Sequence, residues 1–72
     1  MSVTYTYSVN GMTCGHCVSA VTDELTRLPG VRDVLVELPT GAVTVVSDGP
    51  LPLDEVRIAV DEAGYELAGV TG

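Results

Sequence analysis

A chain of 72 residues has room for one small hydrophobic core, and domains of this size often gain stability from a metal, a disulfide or a partner. An apolar fraction of 46% is that of a packed globular chain and argues against disorder. Ten acidic groups against three basic ones give a formal charge of −7, which repels nucleic-acid phosphates and anionic membrane and favours a cationic partner or cargo.

With no Phe or Trp and only three tyrosines, the core has to be aliphatic, and its many valines favour strands. Val3, Tyr5, Tyr7 and Val9 alternate with Thr4, Thr6 and Ser8, which predicts a first strand buried on one side. Asn10-Gly11 ends it, and a loop follows through Met12, Thr13 and Cys14. From about His16 the spacing turns helical, with Val18, Val21, Leu25 and Leu28 on one stripe, Asp23 placed to support Arg27, and Pro29-Gly30 as the stop. Val34, Val36 and Leu38 alternate in a second strand, Pro39-Thr40-Gly41 turns, and Val43 and Val45 continue in a third, predicting a hairpin. After Asp48-Gly49-Pro50, a second helical stripe runs through Leu53, Val56, Val60 and Ala63. Asp54 and Glu55 suit its positive end, and Gly64 suits its C-terminus. Tyr65, Leu67 and Val70 supply a short last strand.

The order βαββαβ predicts an α+β, ferredoxin-like domain over residues 1–72: a four-stranded antiparallel sheet with two helices on one face. No internal repeat or linker divides it. The N-terminal residues Met1-Ser2-Val3-Thr4-Tyr5 lack the basic and apolar regions of an export signal, and no apolar stretch is long enough to span a bilayer. The expected location is therefore cytoplasmic, where thiols stay reduced.

The chemistry concentrates in Met12-Thr13-Cys14-Gly15-His16-Cys17. A two-residue gap makes a poor structural disulfide, because so small a loop removes little entropy from the unfolded chain. It does let two sulfurs converge, Cys14 from the loop and Cys17 from the first helical turn. The unpaired N–H groups and partial positive charge of a helix N-terminus favour thiolate over thiol. Two soft thiolates suit a soft monovalent ion such as Cu(I), which accepts two ligands, whereas structural zinc normally takes four. Cys14 and Cys17 are the candidate metal ligands.

Gly11-Met12-Thr13-Cys14-Gly15-His16-Cys17, between a strand and a helix, resembles the signature of the heavy-metal-associated domain. The similarity extends through Leu28-Pro29-Gly30-Val31 and Ala63-Gly64-Tyr65, and so covers essentially the whole chain. Its length, the His inside the motif and the Tyr after the second helix make it most similar to the CopZ-type bacterial copper chaperones. That resemblance implies Cu(I) as the cargo, Cys14 and Cys17 as ligands, and Met12 as a packing residue. It also implies delivery to the metal-binding domain of a copper-exporting P-type ATPase, and sometimes to a copper-responsive repressor. The expected state is a monomer without metal, with a copper-bridged dimer as an alternative, and no enzymatic turnover.

Competing readings attach to the same residues. Cys14-Gly15-His16-Cys17 is also the tetrapeptide of protein disulfide isomerases, which makes a thiol–disulfide redox module the main alternative. Against it, a thioredoxin-like fold is longer and alternates differently, and no Trp precedes Cys14. Carriage of mercury, zinc or silver on this scaffold is a third reading; zinc-selective relatives often place Asp where this chain has Thr13. His16, Met12 and Tyr65 are outer-shell candidates. The imidazolium form of His16 would favour a neighbouring thiolate, Met12 offers either a thioether or an apolar anchor, and Tyr65 either joins the core or approaches the metal loop.

Overall fold

The computed structural model describes residues 2–12 and 15–71, so Thr13 and Cys14 of the motif lie outside the described residues. The elements follow the predicted order: β1 (Val3–Asn10), α1 (Gly15–Thr26), β2 (Val31–Glu37), β3 (Ala42–Ser47), α2 (Leu53–Glu62) and β4 (Glu66–Val70). The strands form one antiparallel sheet in the order β2-β3-β1-β4.

Alternation decides which side of this sheet is covered. In β1 the hydroxyl-bearing Thr4 is exposed while Tyr7 and Val9 are buried, and in β3 Val43 and Val45 are sealed off completely. The helices pack onto that side through Cys17, Val21 and Leu25 of α1 and Val56, Ala59 and Val60 of α2. Each fully buried Val or Leu contributes roughly 1.5–3 kcal/mol by leaving water, an upper value because an unfolded chain already hides some surface. The two stacked tyrosines, Tyr5 and Tyr7, sit 6.0 Å apart on this face. Burial, and then the neighbouring Tyr5, push the Tyr7 hydroxyl pKa up. The Leu51 N–H donates to the Tyr5 hydroxyl at 3.2 Å, tying β1 to the connection that leads into α2.

Two irregularities depart from simple alternation. Val31 pairs with Ser47 but Asp33 with Val46, so Arg32 is an extra residue in β2; likewise Val9 faces Leu67 but Ser8 faces Gly69, leaving Ala68 extra in β4. The β2 bulge returns Val31 to the core side beside Val34, while beyond the β4 bulge Val70 pairs with Tyr7 but stays exposed. Arg32 donates from Nε to Asp48 Oδ1, just past β3; both side chains are largely exposed, so the ion pair adds little stability.

The helix limits differ from the expected ones by small amounts. Helix α1 starts at Gly15 and ends at Thr26, so Leu28 packs against the core from the turn beyond it. Arg27 pairs with Glu24 at 2.9 Å and not with Asp23, because Arg27 lies just past the end of α1, where the three-residue step to Glu24 is in reach. In α2, Leu53 is exposed and Ala59 takes the core position the sequence pattern passed over. Tyr65 precedes β4 and is not part of it.

Candidate metal-binding loop

Antiparallel pairing gathers three connections at one end of the sheet. Strand β1 finishes at Asn10, opposite Glu66 at the start of β4, and Ser8 pairs with Ala42 at the start of β3. The β2–β3 turn and the α2–β4 link therefore lie at the end of the sheet where β1 runs out toward α1. The candidate ligand Cys17 is the third residue of that helix and is buried, with 6% of its surface exposed.

Helix α1 has no acidic side chain in its first turn, whereas α2 has Asp54 and Glu55. The positive end of α2 is thus complemented by carboxylates, while that of α1 is left to act on Cys17. Oriented N–H groups and a partial positive charge favour negative charge on sulfur there. Burial acts in the opposite sense, since an apolar surround disfavours an unpaired thiolate. A soft cation bound at the sulfur answers both influences at once: it neutralises the charge and tolerates the dry surround.

Of the outer candidates, Met12 joins the core that holds Cys17, Tyr65 packs against that core, and His16 is turned to solvent. Met12 is 8% exposed and lies in the same buried cluster as Cys17, Val21 and Val60. Tyr65 is half-buried and packs against that cluster. Its Cδ1 atom lies 3.3 Å from the point a Cβ at Gly11 would occupy, so the ring is seated on the backbone where the loop leaves β1. Tyr65 thus braces the loop from the α2–β4 side. Asn10 Nδ2, 3.5 Å from Glu66 Oε1, adds a weak tie beside it. His16 is exposed to solvent, one position before Cys17. Cys14 lies outside the described residues, and among the described residues no group of three His, Cys, Asp or Glu is placed to hold a metal.

The packing of Met12 makes a prediction. If it is an anchor, Met12→Leu conserves volume and costs under ~1.5 kcal/mol, with metal affinity nearly unchanged. Met12→Ala opens a cavity and costs about 2–5 kcal/mol. Chemical unfolding and chelator competition on both variants check this; a large affinity loss in the leucine variant at unchanged stability would make the thioether a ligand.

Gly41 does more than close the turn at Pro39-Thr40-Gly41. Its carbonyl accepts from Val9 N–H at 2.9 Å, and a Cβ there would lie 2.7 Å from the Val9 carbonyl oxygen. The β2–β3 turn is thereby pressed against the strand that leads into the loop. Pro39-Thr40-Gly41 reveals a turn, but contact with a strand 32 positions away in sequence is not encoded locally.

A buried cysteine on the first turn of a helix, after the first strand of a βαββαβ domain, defines a class of small metal-binding modules. The heavy-metal-associated domain matches residues 6–66, and the chain belongs to that family. The copper chaperone CopZ of Staphylococcus aureus is 36% identical over 61 residues, which cover 83% of this chain and 90% of the relative. Among solved structures, a CopZ metallochaperone superposes with a TM-score of 0.85 at 33% identity, covering 92% of this chain and all of the other. A copper-binding domain of HMA7, a P-type ATPase, gives 0.86 at 26% identity over 100% and 96% of the two chains.

Proposed function

We propose that this protein is a Cu(I) chaperone that binds its cargo between the thiolates of Cys14 and Cys17 and passes it on by ligand exchange. The observation carrying this reading is Cys17, buried on an α1 first turn that carries no acidic side chain, with Met12 and Tyr65 bracing the loop between them. The similarity to copper chaperones supports copper as the cargo. In the exchange, an incoming partner thiolate bonds to the ion, making it three-coordinate, and one of the two donor thiolates then leaves. No electron is transferred, and each bond formed is balanced by one broken.

The recipient we propose is the metal-binding domain of a P-type ATPase, which the similarity to such a domain supports. A copper-responsive repressor is a further recipient in keeping with this reading, and the cytoplasm is its setting. The loop end of the sheet carries Glu37, Glu62 and Glu66, while Arg27 and Arg32 lie at the opposite end and Arg57 within α2. A recipient with a basic rim around its own thiolates would meet that end favourably, gaining mainly in encounter rate and partner choice.

The test is anaerobic Cu(I) titration of the reduced protein, read by thiolate-to-metal absorption and native mass spectrometry. One equivalent is expected to bind per chain and to resist a strong chelator. Insulin reduction or disulfide reshuffling at catalytic protein levels, with weak copper retention, would establish the redox module instead.

A further inference from the structure

On the helical side of the domain, an open groove of about 270 Å³ runs between α1 and α2, lined by Glu24, Arg27 and Leu28 on one side and Glu55, Ile58 and Glu62 on the other. Its α1 wall begins two helical turns beyond Cys17, about 10 Å along the axis, which sets it apart from the candidate metal loop. Ile58 is 60% exposed, the highest value among the large apolar residues. On a helix the surface neighbours of a residue stand three and four positions away on each side. For Ile58 these are Asp54, Glu55, Asp61 and Glu62, all acidic and all exposed. Among the described residues, none of the four is recorded in an ion pair; the groove's one cation, Arg27, is engaged by Glu24.

Asp54 and Glu55 suit the positive end of α2, but Asp61 and Glu62 crowd its negative end, and an exposed isoleucine between the two pairs gains nothing from burial. Both costs are relieved by one kind of occupant. We propose that this groove docks a basic segment of a partner protein, which lays an apolar side chain against Ile58 and Leu28 and sets flanking Lys or Arg residues on Glu55 and Glu62 along the α2 wall, with Asp54 and Asp61 in reach beyond Ile58. A second copy of this chain is disfavoured, because it brings a charge of −7 and the same acidic ring to the contact. An anionic membrane is repelled on the same ground. The proposal stands apart from copper binding and would hold for any cargo.

The experiment uses a short amphipathic peptide of leucine and lysine at helical spacing, with a scrambled isomer of identical composition as control. Amide shifts on titration are expected to concentrate at residues 24–28 and 55–62, with affinity falling as salt is raised. Ile58→Ser, at an exposed position, should leave the unfolding midpoint in place and weaken peptide binding about tenfold or more, as loss of a central apolar anchor does. Cu(I) titration of the same variant should match the parent. Equal binding of the scrambled isomer, shifts spread over Asp33, Glu37 and Glu66 of the sheet, or full binding by the Ile58→Ser variant would each overturn the proposal. So would concentration-dependent dimerisation of the protein alone through Ile58, which would make a second copy the occupant.

Discussion

Cys17→Ser is expected to remove nearly all Cu(I) retention against a strong chelator while leaving the domain folded. Serine is close to cysteine in size, so the buried site keeps its shape, at a cost of about 1–3 kcal/mol for hiding a hydroxyl. The hydroxyl is a hard, neutral donor at neutral pH, whereas Cu(I) selects soft thiolate. With one of two ligands lost, affinity should fall well beyond the ~10–100-fold that removal of an outer partner costs. Cys14→Ser is expected to lose as much, since a two-thiolate site has no lesser member. The effect should also depend on pH in the parent, because each thiol sheds a proton before it binds metal. Competition with a chromogenic Cu(I) chelator at several pH values reads all of this; parent-like competition by either single variant would refute the two-thiolate site.

Legibility in the sequence followed the range of the interactions involved. Period-two and helical spacing are local, so the six elements and their order were readable, as was the left-handed end of α2 at Gly64, where φ is +93°. Arg32 and Ala68 were not recognisable as bulges: an extra residue in a strand is defined only by the partner it fails to match, here Ser47–Val46 for one and Ser8–Val9 for the other. The alternation of Val34 and Val36, taken alone, puts Val31 on the wrong side. Ala59 escaped because a methyl group is a faint apolar mark between Ile58 and Val60, and only the packing of α2 onto the sheet shows that it is buried. At the candidate site, Cys14 and Cys17 stood out by spacing alone. The sequence left Tyr65 open between two roles because its seat on Gly11 joins positions 54 apart in the chain.

Gly41→Ala is the substitution expected to disturb the fold most for its size, and Gly64→Ala is its control. Both glycines lie at positive φ, +71° and +93°, where a Cβ costs roughly 1–2 kcal/mol in backbone strain. At Gly64 the added methyl meets nothing within 4 Å, so strain is the whole cost. At Gly41 it arrives 2.7 Å from the Val9 carbonyl oxygen, and a backbone atom of a strand residue paired with Leu67 has no rotamer by which to withdraw. Overpacking of this kind adds about 1–3 kcal/mol. The expected losses are therefore about 1–2 kcal/mol for Gly64→Ala and about 2–5 kcal/mol for Gly41→Ala. With a urea slope near ~1 kcal/mol/M for so small a domain, the Gly41 midpoint should drop by about 3 M more than the Gly64 midpoint at the upper end of this range. Equal midpoints would show that backbone strain alone matters and that the Gly41–Val9 approach relaxes freely. If the contact is as stiff as its backbone atoms imply, the strain will travel along β1 through Val9 and Asn10 toward Met12. Gly41→Ala should then also loosen Cu(I) binding under conditions where the variant is still folded, and Gly64→Ala should not.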